Sequence, residues 1–213
     1  MPRLPRALRD HLVRERRAGV HVLALLDPAR IAERGVCASF VGSADLPAGR
    51  PLWPEGDAAS PPWLVHWPEE RAGAGATLCQ HDLAAFTAAW HADALVGVLA
   101  RAPLEVTWRH LRRFTQVRDP EGRIVSWRFH DPRVLRIALP VLTVAQRLAF
   151  FGPVQAWLTP DGERAGAATA WMRRGDQLVA ETLRPDEGEA EGEGQGASDA
   201  PVVADDALTG VAP

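Results

Sequence analysis

The sequence predicts an α/β fold in which a mixed β-sheet is flanked by helices, built as a single domain over residues 1–183 and followed by a disordered acidic tail over 184–213. Three observations carry this expectation. Two apolar runs of strand length, Val20–Leu26 and Leu95–Ala100, have no polar alternation, so each suits a strand covered on both faces. Segments with apolar residues three and four apart alternate with such runs, as helices laid on a sheet require. Beyond Arg184 the chain is dominated by Gly, Glu, Ala, Ser and Asp and holds no aromatic residue, so it lacks the apolar surface needed to offset the entropy of ordering.

The elements follow in chain order. Leu4, Leu8 and Leu12 lie four apart, with Arg9, Arg16 and Arg17 elsewhere on the wheel, which predicts an amphipathic helix over 3–18. The Val20–Leu26 strand ends at Asp27-Pro28, where Asp can cap a helix and Pro can occupy its first position. Residues 43–62 are rich in Pro, Gly and Ala and read as a loop, and Trp63–Trp67 reads as a short strand. Thr77 and Gln80 have capping-box spacing ahead of Leu83, Phe86 and Trp90, which share one helical face. After Leu95–Ala100, a helix is expected over 104–117, with Leu104, Trp108, Leu111 and Phe114 inward and Arg109, Arg112 and Arg113 on its other side.

Asp119-Pro120-Glu121-Gly122 is a turn. The strand expected over 123–130 would place Val125, Trp127 and Phe129 on one face and Ser126, Arg128 and His130 on the other. Asp131-Pro132 opens the longest expected helix, 132–150, with an apolar stripe of Val134, Ala138, Val141, Ala145 and Leu148. Pro140 should kink it, because proline offers no N–H and crowds the preceding turn. Val154–Leu158 and Ala168–Arg173 read as strands joined across Pro160-Asp161-Gly162. No internal repeat is visible.

Composition narrows the function classes. All 24 basic residues are Arg, and the formal net charge is −3. From Arg184 onward one Arg stands against eight acidic residues, so the tail carries −7, while the preceding 23 Arg and 19 acidic residues leave the body at +4. Attraction between the two would be screened beyond a Debye length of about 8–10 Å. Neither charge forms the dense basic stripe of a nucleic-acid binder. Two cysteines, Cys37 and Cys79, give no disulfide framework and fit a reducing compartment. No apolar run reaches the ~18 residues of a membrane span. The Arg-rich start lacks the apolar segment of a signal peptide, and Asp10 and Glu15 speak against an organelle transit peptide. A cytoplasmic protein is expected, with no membrane and no nucleic acid among its partners.

Motifs for catalysis are sparse. There is no Gly-rich phosphate loop, and Val41-Gly42-Ser43-Ala44-Asp45 lacks the second glycine of a nucleophile elbow. Cys79-Gln80-His81-Asp82 could supply nucleophile, base and orienter, but neighbours on one helical turn point apart, and a capped helix start explains them. None of the seven His shows zinc-site spacing, and His21, in an apolar run, reads as a core or edge residue. No cofactor, metal or catalytic residue is therefore expected. The densest polar segment is Arg128-Phe129-His130-Asp131-Pro132-Arg133. It reads either as a helix cap with Arg128 paired to a carboxylate beneath the sheet, or as a recognition surface using the planar guanidinium fork. Arg136 and Arg147, eleven residues apart, would share a helix face near Arg133 and could dock an acidic partner. Ser126, Arg128, His130, Arg133, Arg136 and Arg147 are the candidate partner-binding residues.

Four segments resemble a known family. Val22-Leu23-Ala24-Leu25-Leu26-Asp27 is similar to its opening strand, and Pro62-Trp63-Leu64-Val65 to a Pro-aromatic-Leu-Val segment. Trp127-Arg128-Phe129-His130-Asp131-Pro132-Arg133-Val134-Leu135 resembles its most recognisable motif, and Phe150-Phe151-Gly152-Pro153 with Trp157 its closing element. The family is that of type VI secretion adaptors, the domain of unknown function numbered 4123, and the resemblance spans about residues 20–158. His130 stands where the family often has Tyr, and an acidic tail stands where many relatives carry a further helical lobe. The resemblance implies a non-enzymatic adaptor or chaperone that binds a cognate secreted effector and helps load it onto the valine-glycine-repeat (VgrG) spike protein. Two other readings remain open: a small hydrolase using His81 or His130, and a nucleic-acid binder using the Arg faces of the 104–117 and 132–150 helices.

Overall fold

The computed structural model describes residues 3–34, 49–53, 61–68, 76–119, 121–164 and 166–184, with only the backbone over 76–82. The chain runs α1 (Arg6–Arg17), β1 (His21–Leu26), α2 (Pro28–Glu33), β2 (Arg50–Pro51), β3 (Trp63–His66), α3 (Ala76–His91), β4 (Leu95–Ala100) and α4 (Leu104–Leu111). A 3-10 turn (Arg112–Phe114) leads to β5 (Gln116–Arg118), β6 (Ile124–Ser126), α5 (Pro132–Val141), α6 (Val144–Phe151), β7 (Val154–Pro160), β8 (Ala168–Arg174) and β9 (Gln177–Leu183).

Among the described residues seven strands form one sheet in the order β2-β3-β1-β4-β7-β8-β9, with helices on both faces as the α/β reading expects. Every pairing within it is antiparallel, where strand-helix alternation had suggested a mixed sheet. The connection through α3 explains the difference. β3 and β4 point the same way, as a helical crossover requires, but β1 lies between them and runs opposite to both.

The alternation of side chains along the central strands divides the core in two. Val22, Ala24 and Leu26 of β1 face Leu4, Leu8 and Leu12 of α1 and Phe86, Ala89 and Trp90 of α3. Leu23 and Leu25 face the opposite way, with Val96, Val98 and Ala100 of β4, against Leu111, Leu135, Leu139, Phe150, Phe151 and Trp157. The unbroken apolar runs of β1 and β4 are what a strand between two helical layers needs. Gly97 in β4 leaves room for its neighbours: a Cβ there would stand 2.8 Å from Leu158 Cβ and 3.2 Å from the Trp67 ring.

Three expected elements are redrawn. The helix expected over 104–117 stops at Leu111, and β5 pairs with β6 as a separate two-stranded ribbon. Asp119 closes that ribbon, its carboxylate accepting from the Arg123 N–H at 2.8 Å, while Gly122 takes φ 82° in the turn. The strand expected over 123–130 therefore ends at Ser126, once the ribbon has run out of partner. The helix expected over 132–150 is two helices. Pro140 withholds one N–H near the end of α5, Leu142 is extended (φ −61°, ψ 138°), and Thr143 opens α6 with a capping box to Gln146. The inward residues are consequently Leu135, Leu139, Phe150 and Phe151, not the stripe through Val141 and Leu148.

α6 ends at Gly152 (φ 45°), where the His110 ring occupies the space a Cβ would need. β9, unanticipated in the sequence, returns from β8 through Gly175 (φ 61°). The expected acidic tail lies outside the described residues apart from Arg184.

Candidate functional site

Two Asp-Pro steps start two helices on opposite faces of the sheet. Asp27 caps α2 by accepting from the Arg30 N–H at 3.1 Å, and Asp131 caps α5 by accepting from the Arg133 N–H at 3.0 Å. α2 sends Ile31 into the first core, and α5 sends Leu135 and Leu139 into the second. Arg128 joins the two caps: its Nη2 lies 3.3 Å from Asp27 Oδ2 and 3.9 Å from Asp131 Oδ2. The guanidinium side chain is 54% exposed, whereas the carboxylates are 4% and 2% exposed, so a solvated cation lies over two buried anions. Arg133 grips Asp131 with two bonds, Nε–Oδ1 at 3.0 Å and Nη2–Oδ2 at 2.6 Å.

His130 sits beneath this layer. Its Nε2 is 3.6 Å from Asp27 Oδ2, and its ring meets Trp53 edge-on at 5.4 Å. Burial pushes its pKa down to about 4; Arg128 acts in the same direction, and Asp27 and Asp131 oppose it. The imidazole is therefore neutral at pH 7, and its Nδ1 is buried without a hydrogen-bond partner among the described residues. Burial acts to raise Asp131, but hydrogen bonds from Arg133 outweigh it and hold the carboxyl below its ordinary value.

The sequence-derived site residues separate into distinct settings. Ser126 is exposed at the end of the ribbon, paired across from Gln116, and shares no strand face with Arg128 or His130. Arg136 donates to the Pro160 carbonyl at 2.7 Å and lies 3.4 Å from Asp93 Oδ1, while Arg147, on the next helix, donates to the Asp176 carbonyl at 3.2 Å. The break at Leu142 invalidates the three-turn spacing that had put these two on one face. The Cys79–Asp82 side chains, His81 among them, lie outside the described residues. Among the described residues no group of three or more His, Cys, Asp or Glu is placed to hold a metal ion, and no helix is long and apolar enough to cross a membrane.

A second feature escaped the sequence reading. The ribbon and the α5–α6 elbow enclose an open cavity of about 380 Å³, lined chiefly by Phe114, Val117, Trp127, Ala138, Leu142 and Phe150. Apolar side chains continue beside it along α5: Ile137, next to Ala138, is 74% exposed, and Val141, next to Leu142, is 77% exposed. Val125, 40% exposed, is paired directly with Val117 and so projects from the same side of the ribbon. The signal was present as one i,i+4 apolar pair, Ile137/Val141, beyond those that fill the core. Single exposed apolar residues are ordinary, whereas a set bordering an apolar cavity marks a binding surface.

A family model described as a domain of unknown function (DUF4123) matches residues 49–149. The stretch runs from the approach to β2 into α6, and so includes all six candidate residues and most of the groove, but not Asp27. Nothing among the curated proteins or the solved structures matches the chain.

Proposed function

We propose that the chain is a cytoplasmic adaptor that binds a secreted effector of a type VI secretion machine and helps place it on the VgrG spike protein. The secretion context rests on the sequence resemblance. The observation that carries a binding role is the apolar groove at the α5–α6 elbow with exposed Ile137 and Val141 at its edge. Protein interfaces centre on such desolvated apolar patches edged by polar groups, and a carrier that must release its cargo suits a patch of limited size.

The arginines support binding over the alternatives. Arg128, Arg133, Arg136 and Arg147 each engage a carboxylate or a main-chain carbonyl of this chain, which leaves them poorly placed to neutralise a row of phosphates. His130 is closed in by Asp27, Arg128 and Trp53, with no open face for a substrate. Co-expression with the effector and spike proteins encoded beside it tests the proposal. A stable complex with one of them, seen by co-purification and native mass spectrometry, is expected; failure of both to associate would overturn it.

A further inference from the structure

We infer that the α5–α6 groove receives an amphipathic helix whose apolar stripe is flanked by carboxylates; the inference rests on the adaptor reading and names the kind of segment its partner offers. Three observations select this occupant. First, the apolar surface extends past the cavity along α5, to Ile137 and Val141. A cavity of about 380 Å³ falls within the ~300–1,000 Å³ of small-molecule sites, but a small ligand would leave Ile137 and Val141 in water. A helix laid in the groove covers cavity and rim together, with anchors at i, i+3/i+4 and i+7.

Second, a strand is a poor alternative. Among the described residues β5 and β6 pair only with each other, but each is three residues long, so an added strand would gain few main-chain hydrogen bonds. Third, the charge beside the groove has one sign left over. Arg118 lines it, and Arg113 directly precedes Phe114, which also lines it; both are exposed. The neighbouring acids Asp119 and Glu121 are both taken up by Arg123, at 2.6 Å and 3.3 Å. Arg118 donates to the Gly122 carbonyl and is paired with no carboxylate among the described residues. Carboxylates beside the apolar stripe of a docking helix would meet these two guanidinium groups.

The test uses the full chain and two labelled helical peptides that share one leucine stripe, with Glu at all flanking positions in one and Lys in the other. Fluorescence anisotropy should show the Glu peptide binding at least tenfold more tightly, the difference shrinking with added salt. The double variant Ile137→Glu/Val141→Glu, at exposed positions that leave the core intact, should abolish binding. Arg113→Glu/Arg118→Glu should erase the preference between peptides. Equal binding of both peptides, no binding of either, or binding that survives the apolar double variant would overturn the inference. A photo-crosslinker at position 141 separates it from the reading beneath it. In a complex with the neighbouring effector or spike protein, the crosslink should map to a helix with Asp or Glu beside its apolar stripe. A complex that forms but crosslinks to any other segment, or survives Ile137→Glu/Val141→Glu, refutes the groove and leaves the adaptor standing. Absence of any complex refutes the adaptor, while the peptide measurements still judge the groove.

Discussion

At the scale of single residues, the polar motif around Arg128 is a tie between two helix starts. Removing Arg128 takes a cation from two carboxylates that are almost fully buried. Because the guanidinium itself is solvated, the direct ion-pair term is small, and the main cost is the uncompensated burial of Asp27. Arg128→Ala should therefore lower stability by about 1–3 kcal/mol in urea titration; an unchanged midpoint would show that the tie carries no weight. His130 gives a pH signature. With a folded pKa of about 4 against 6.5 unfolded, the unfolded chain takes up a proton first as pH falls. The stabilisation is whole above pH 6.5 and is lost progressively towards pH 4, amounting to at most about 3 kcal/mol. His130→Gln should flatten the stability-pH curve in that window. His11, His66 and His110, also lowered by burial, keep a residual slope of the same sign. The Asp131 cap and the pairing of Arg128 with a carboxylate were legible in the sequence. The burial of His130 was not, because it depends on where the preceding strand stops.

At the scale of elements, legibility followed the length of the apolar signal. β1 and β4 announce themselves because both faces are buried, and α1 because its leucines fall on one stripe. The segment from 104 to 151 misled because each of its breaks is made by one or two residues inside a continuing periodic pattern. Phe114 keeps the helical period past Leu111, and Ala138 to Leu148 keeps it past Leu142. The Thr143–Gln146 capping box was a readable sign of a new helix start, masked by the kink assigned to Pro140. Thr143→Ala should cost about 1 kcal/mol through loss of the cap. Because the same elbow shapes the groove, the variant should also weaken peptide binding, whereas Ser126→Ala, at an exposed position, should change neither. Equal effects of the two substitutions would disconnect the elbow from the groove. Gly97→Ala probes the centre of the sheet. Its Cβ would crowd Leu158 at 2.8 Å with Trp67 behind it, so a loss of about 1–3 kcal/mol is expected in thermal or urea unfolding.

At the scale of the molecule, two hydrophobic cores share one sheet, and this arrangement makes a claim about cooperativity. β1 sends Val22, Ala24 and Leu26 to one core and Leu23 and Leu25 to the other, and β4 divides its side chains likewise. Loss of either layer would bare one face of both central strands to water. The Asp27–Arg128–Asp131 tie further joins α2 of the first layer to α5 of the second. Leu8→Ala in the first core and Leu139→Ala in the second should each destabilise by about 2–5 kcal/mol, since both side chains are wholly buried. If the two layers form one cooperative unit, each substitution should speed hydrogen exchange of β1 and β4 amides equally, and urea unfolding should stay a single transition in both variants. A variant in which α1 and α3 exchange freely while α5 and α6 keep their protection would show that the layers melt separately. In that case the groove on the α5–α6 side would belong to a unit able to hold its shape, and bind, without the helices on the opposite face.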